Sequence, residues 1–347
     1  MSIFLDCIQK KKVNRPPIWL MRQAGRYLLE YKETRKRAGS FLDLCYNSDL
    51  ATEVTLQPIE KFGFDAAILF ADILLILDAL GVKVEFIEGM GPRLETVREM
   101  KDINNLFNVE DIHEKLATVY KTVSMLKNSL PKDVPLIGFA GAPWTLATYL
   151  INGKGEAGSI TTKKFLLSNP VEFEKIIDIL TKATIEYLIM QIKSGADVIK
   201  IFDSWAGALN ADMVLNYSLK SIKKIVETIK EKHPNIPFIV FPRGVNTTYR
   251  NFSQIPDFNV LAIDQFLDRD WVAKEIQPKK LIQGNLDPIF LTLEKNVLLK
   301  ELNKVINSFS NYPFIFNLGH GITPDAKVDN VKLLVETIRS KNFSQFF

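Results

Sequence analysis

Cysteine is nearly absent from this chain. Cys7 and Cys45 stand alone among 347 residues, which excludes a disulfide framework and any Cys-x-x-Cys redox or metal motif. Histidine is almost as scarce, with three residues and no cluster. A zinc site of the usual ligand set is therefore not expected, and no metal is assigned. No run approaches 18 apolar residues, so no membrane span is expected. The N-terminal stretch Met-Ser-Ile-Phe-Leu-Asp-Cys-Ile-Gln-Lys-Lys-Lys puts apolar residues ahead of charges, the reverse of a secretory signal. A cytoplasmic location is the expectation. Neither sign of charge dominates: 44 Lys and Arg face 40 Asp and Glu, for a net +4. That mild, dispersed excess is no nucleic-acid stripe, though it would suit an anionic small molecule. Repeats, low-complexity tracts and flexible linkers are also missing, and one domain over residues 1–347 is expected.

What the chain does have is a large apolar fraction, 47% hydrophobic against 24% charged, enough for a sizeable core. Short β-type runs recur at 18–21, 66–70, 135–140, 197–202, 237–241, 259–264, 281–284 and 314–318. Several are continuously apolar, as strands buried on both faces are. Helical patterns separate them at 48–62, 110–128, 170–194, 212–232, 290–308 and 327–340, the first with Ser48 as its expected cap and Gly63 as its stop. Val82 to Phe86 reads as a small hairpin strand outside the main sheet. Eight strands alternating with helices predict a parallel α/β fold, whose natural closed form is the (β/α)8 TIM barrel. A doubly wound open sheet is the alternative. Its Gly-x-Gly-x-x-Gly fingerprint is spelled only at Gly153, Gly155 and Gly158, after a helical stretch, and reads there as a loop.

Barrel active sites lie at the C-terminal ends of the strands. Arg22 and Arg26 follow the first predicted strand, with Arg35 nine residues after Arg26. Asp72 follows the second. The third leads to Thr145 and Tyr149, the fourth to Ser204. Arg243, Asp264, Asp287 and His320 follow the fifth to eighth. Each has a plain structural explanation. Arg22-Gln-Ala-Gly-Arg26 would serve as a solvated turn, and Asp72, Ser204 and Thr145 as helix caps. Tyr149 would serve as a buried aromatic and His320 as a turn residue. Asp264 and Asp287 would tie strand ends to helix N-termini. Their convergence on one rim favours a site. Paired guanidinium groups around a glycine suit a ligand bearing several carboxylates. A Ser-His-Asp triad from Ser204, His320 and an aspartate is conceivable on paper, but no Gly-x-Ser-x-Gly elbow supports it.

Pro17-Ile-Trp-Leu-Met-Arg-Gln-Ala-Gly-Arg26 and Gly138-Phe-Ala-Gly-Ala-Pro-Trp-Thr145 closely resemble signatures of the uroporphyrinogen decarboxylase family. Phe70-Ala-Asp-Ile-Leu, Phe202-Asp-Ser-Trp-Ala-Gly, Gln283-Gly-Asn-Leu-Asp-Pro and Phe316-Asn-Leu-Gly-His-Gly-Ile match it too, in the family's order. The resemblance implies a single distorted (β/α)8 barrel, a homodimer, and loss of the acetate carboxyls of uroporphyrinogen III to give coproporphyrinogen III and carbon dioxide. It implies no metal and no organic cofactor. It makes Arg22, Gln23, Ala24, Gly25 and Arg26 the substrate-binding loop, with Arg35 assisting. It sets Asp72 against the pyrrole N–H groups. It places Tyr149, Ser204 and His320 along the pocket, with Phe41 near it. An arginine, His320 or Tyr149 would move protons, and the residues leave that choice open.

Leu29, Arg243 and Gln265 depart from the family pattern, where proline, lysine and tryptophan are expected. Two other readings compete. One is a methyltransferase of the same superfamily, against which stands the lack of a cysteine after Cys45. The other is a non-catalytic tetrapyrrole carrier, which would need the arginines but not Asp72.

Overall fold

A computed structural model describes residues 2–87, 89–97, 99, 102–103 and 109–340. Its centre is a seven-stranded parallel sheet. The strands are β1 (Ala67–Ile68), β4 (Leu136–Gly141), β5 (Val198–Asp203), β6 (Phe238–Pro242), β7 (Val260–Ala262), β8 (Leu281–Gln283) and β9 (Phe314–Ile315), hydrogen-bonded in that order. The remaining two, β2 (Val84–Ile87) and β3 (Gly91–Leu94), form a separate antiparallel hairpin, as the 82–86 pattern predicts. Every residue of β4, β6, β7, β8 and β9 is buried, which explains their apolar spelling, broken only by Gln283 at the end of β8.

The expected first strand, 18–21, is a correction. It contributes only a single parallel bridge, Ile18 to Phe316. Side-chain amides replace the ladder beyond it. Gln23 Oε1 accepts the Leu20 N–H at 3.1 Å, and Asn317 Oδ1 accepts the Met21 N–H at 3.0 Å. The same segment nevertheless touches both edges of the sheet. Phe316 N–H donates to Pro17 O at 2.9 Å, and Asp65 N–H donates to Ile18 O at 2.8 Å. Asp65 also takes a bidentate Arg15 pair at 2.7 Å and the Ile18 N–H at 2.7 Å, which pins the segment at its entry. The sheet curls until its two edges reach one stretch of chain.

The helices fall close to their predicted places. Helix Ser48–Phe62 ends at Gly63, which adopts the left-handed conformation that terminates it, but its cap is Asn47, not Ser48. Asn47 Oδ1 accepts the N–H groups of Asp49 and Leu50. Helix Ile112–Ser129 follows a short 3-10 turn, and Pro170–Lys193 matches its pattern. The 212–232 stretch contains a π-helical segment, Val214–Leu219, before helix Lys220–Lys232. The 290–308 stretch is split into the 3-10 turn Pro288–Thr292 and helix Lys295–Phe309, and 327–340 is helix Val328–Ser340.

Register fixes which side chains share the face away from the helices. Neighbours across a parallel ladder point the same way, and alternate residues along a strand do too. Phe139 pairs with Lys200, Lys200 with Ile239, and Ile239 with Val260. Ala262 pairs with Gln283, and Gln283 with Ile315. On β5 this inner face therefore carries Val198, Lys200 and Phe202. Asp203 faces the helices, where Ser218 and Thr145 meet it.

Candidate active site

Arg22 is the hub of the rim. It has a backbone φ of 61°, in the left-handed region that a non-glycine residue enters at a cost of roughly 1–3 kcal/mol. The amide contacts of Gln23 and Asn317 hold the turn in that shape. Gln23 itself is buried. Its Nε2 donates to Ala66 O, and its backbone oxygen accepts the Tyr27 hydroxyl, so its side chain is committed to the scaffold. Ala24 and Gly25 complete the turn, where a Cβ on Gly25 would sit 3.0 Å from Arg22 O. Gly321 has a clear steric reason: a side chain there would collide with Arg22. The Arg22 guanidinium lies close enough to Asp72, Tyr149 and His320 to influence the ionisation of all three.

Asp72 combines both roles weighed from sequence. Its Oδ1 accepts the Leu74 N–H at 2.9 Å, a cap-like turn ahead of helix Leu75–Ala79. Its other oxygen has no hydrogen-bond donor among the described residues. Burial pushes its carboxyl above the usual range, while the Leu74 N–H and Arg22 pull the other way.

Tyr149 stands edge-on to Trp205, ring centres 6.1 Å apart, and both pack so closely on Gly155 that a Cβ there would lie 2.7 Å from the Trp205 ring and 3.3 Å from the Tyr149 hydroxyl. Burial pushes its hydroxyl up, so it stays protonated. The Trp205 indole N–H has no acceptor at hydrogen-bonding geometry and lies beside that hydroxyl, whose ionised form it would favour. Ser204 follows β5 and is partly exposed, with its hydroxyl uncommitted among the described residues. His320 is held neutral. Burial first, then the nearby Arg22, Arg243 and Lys200, push its pKa down to about 3.

Arg26 is exposed at the turn, and Arg35 donates to Gly39 O at 2.7 Å at the end of its own helix. Both act on Tyr31, and Arg35 also on Cys45, which in turn senses Asp72. The two arginines thus lie on the Asp72 side of the rim. Phe41 packs on Phe70, two residues before Asp72, and on Phe86 of the hairpin, at 5.8 and 4.6 Å.

Other acidic residues at strand ends serve the fold. Asp264 accepts from Gly244 N, Tyr249 OH and Phe266 N, and Asp287 caps Ile289. Thr145 donates to Asp203 Oδ1 at 2.5 Å and accepts the Trp205 N–H, so it ties strand to loop rather than capping its own helix. Two further groups lie close to His320: Arg243, already placed on the rim by its strand end, and Lys200, which the strand-end reading missed. Arg243 acts on His320, stacks over Phe266 at 5.5 Å, and has a buried Nε without a partner. Lys200 lies beneath them. Its signal was legible as the one charge inside the apolar run Val198 to Phe202. A surface hollow lined by Glu30, Arg37 and Glu53 lies apart, along helix Leu29–Ala38, where Arg37 pairs with Glu53 and Glu30 with Lys61. Among the described residues no group of three His, Cys, Asp or Glu side chains is placed to hold a metal, and no helix is long and apolar enough to cross a membrane.

Comparison with known proteins decides the family. The sequence profile of uroporphyrinogen decarboxylase (URO-D) matches residues 1–341. This chain belongs to the uroporphyrinogen decarboxylase family. Uroporphyrinogen decarboxylase of Jannaschia sp. (strain CCS1) is 49% identical over 94% of this chain and 95% of its own. That of Rhodobacter capsulatus is 49% identical over 96% and 98%. As a member of the family the chain is a carboxy-lyase of porphyrin and haem biosynthesis. A methyltransferase from Methanosarcina mazei superposes with a TM-score of 0.80 over 98% of both chains at 18% identity, a likeness of fold alone.

Proposed function

We propose that the rim formed by Arg22, Arg26, Asp72, Tyr149, Ser204, Arg243 and His320 is where this chain removes the four acetate carboxyls of uroporphyrinogen III, giving coproporphyrinogen III and carbon dioxide. The observation that carries the reading is Asp72, a partly buried carboxylate with one oxygen free of protein donors, beside Arg22.

Losing carbon dioxide from a ring acetate leaves an electron pair that needs a sink. Protonating the electron-rich pyrrole at carbon makes a cationic ring that accepts the pair as the carbon–carbon bond breaks. Protonation of the resulting methylene and loss of the ring proton leave a methyl group, with one proton consumed per acetate. The sink is the substrate itself, so no step draws on a cofactor. Asp72, aimed in advance at the pyrrole N–H groups, stabilises the ring cation as it forms. Arg22 and Arg26 hold the remaining carboxylates and orient the flexible polyacid, with Arg35 and Arg243 adding positive charge. His320, neutral at physiological pH, serves as a hydrogen-bonding wall group. In this reading Tyr149 or an arginine passes the proton to the ring, since an imidazolium at His320 is disfavoured by burial and the nearby cations.

Three coarser features join this reading. The curled sheet is taken as a distorted (β/α)8 barrel with residues 18–21 as its eighth stave, supported by the bonds of residues 17–18 to both edges. The homodimer implied by the resemblance predicts sedimentation near twice 39.5 kDa, and a fully active monomer would refute it. A cytoplasmic location fits the scarcity of cysteine. The deciding experiment is anaerobic incubation with uroporphyrinogen III. Stepwise decarboxylation to coproporphyrinogen supports the reading, and tight binding without carbon dioxide release would replace it with a carrier role.

A further inference from the structure

Lys200 is wholly buried, at 0% exposure, and its Nζ has no hydrogen-bond acceptor among the described residues. Three aromatic faces enclose it: Phe202 at 4.7 Å, Trp19 at 4.9 Å and Phe241 at 5.2 Å. A methionine would fill such a cage without burying unpaired N–H donors, so this lysine is held at a cost to stability. It lies on the inner face of β5, one alternation below Phe202 and two below Ser204, and in its ammonium form it is near enough to His320 to act on it. Trp19 leads into Arg22, and Phe241 precedes Arg243 on the same face.

We propose that Lys200 is a charge-compensating positioning residue, whose amine takes up one proton from solvent when a polycarboxylate tetrapyrrole fills the mouth above it. The inference rests on the mouth being the tetrapyrrole site. Burial is what favours the amine while the mouth is unfilled. The charged and titratable groups of the mouth above it are Arg22, three residues after Trp19, Arg243, one residue past the end of β6, and neutral His320. Gln283, bonded to Trp19 Nε1, brings only an amide, β4 brings Phe139, and Asp203 faces the other way. No carboxylate among the described residues offsets that burial. A bound polyacid cancels the arginines and makes the mouth net negative. One net charge about 10 Å away moves such a proton equilibrium by roughly one power of ten at an effective dielectric near 20. The three ring faces then stabilise the ammonium. Substrate, with eight carboxylates, would drive the uptake further than product, with four. Lys200 would thus reward the more highly charged ligand.

The test is calorimetric titration of the full chain with coproporphyrinogen III, kept anaerobic, in two buffers of different ionisation enthalpy near neutral pH. The expected result is up to about half a proton more taken up per ligand by the wild type than by Lys200→Met or Lys200→Gln, the most that a shift of one power of ten delivers. The 13Cε resonance of Lys200 in wild-type protein should also move from its amine toward its ammonium position on titration, a reading that needs no variant to fold. Binding with equal proton counts, or a resonance that does not move, would overturn this inference alone. Absence of binding to the wild type would overturn the site reading and this inference with it.

Discussion

Asp72 and Asp203 stand at the ends of β1 and β5 and are used in opposite ways. Asp203 is completely buried on the helix side, and both its oxygens are engaged, by Thr145 and by Ser218 at 2.5 Å each. Asp72 sits on the rim with one oxygen held by a backbone N–H and the other without a donor among the described residues. The contrast extends to their neighbours. Asp65 and Asp264 are saturated with donors, whereas Ser204, Arg243 and Lys200 on the mouth side keep unused hydrogen-bonding capacity. Buried polar groups left unsatisfied are costly. Under the proposed reading, Asp65, Asp203 and Asp264 maintain the fold and Asp72 is left to meet a ligand.

The contrast can be broken most severely at Asp72. Asp72→Asn keeps the size and one acceptor but removes the charge. The decarboxylation rate constant should fall by about two to four powers of ten, as when a preorganised electrostatic group is lost, with melting temperature unchanged. Next come Arg22→Ala and Arg26→Ala. Each should weaken substrate engagement by about 2–5 kcal/mol, read from kcat/KM, if its guanidinium pairs with a desolvated carboxylate. Wild-type kinetics in both would remove the clamp.

The opposite arm is Asp203. Burial raises its carboxyl pKa from 3.8 to about 6, against the pull of the two hydroxyls. Between those values the folded chain holds a proton that the unfolded chain has released. Stability from this group is therefore complete below pH 4 and is lost as pH rises through 6, by up to about 3 kcal/mol. Denaturant melts of Asp203→Asn should lack that slope and keep the rate per folded molecule. The smallest effect is expected at Gly321→Ala. Its methyl group would displace Arg22 without touching any charge, lowering kcat/KM by up to about 100-fold, the scale of a 1 Å misplacement. Full activity there would show that Arg22 need not lie over Gly321.

Much of this was legible in the sequence. Seven strands read true because buried parallel strands are spelled largely apolar, and the candidate rim residues were drawn from the ends of those strands. The failed first strand was not legible. Gln23 and Asn317 divert its backbone bonds, and Asn317 lies almost 300 residues away in the chain. Asn47 displaced Ser48 as cap because both residue types cap well and only geometry chooses between them. The distinction between Asp72 and Asp203 was equally hidden. Both follow apolar strands, and only register and the hydroxyls of Thr145 and Ser218 show which carboxylate faces the mouth.

The most direct measurement pairs the two aspartates. Single-turnover decarboxylation of uroporphyrinogen III, beside a binding titration with coproporphyrinogen III, should be run on Asp72→Asn and Asp203→Asn. The account predicts a folded Asp72 variant that binds product nearly as the wild type does yet scarcely decarboxylates, and an Asp203 variant altered in stability but active per folded molecule. An Asp72→Asn protein that decarboxylates normally would contradict it, leaving Asp72 as no more than the cap of Leu74.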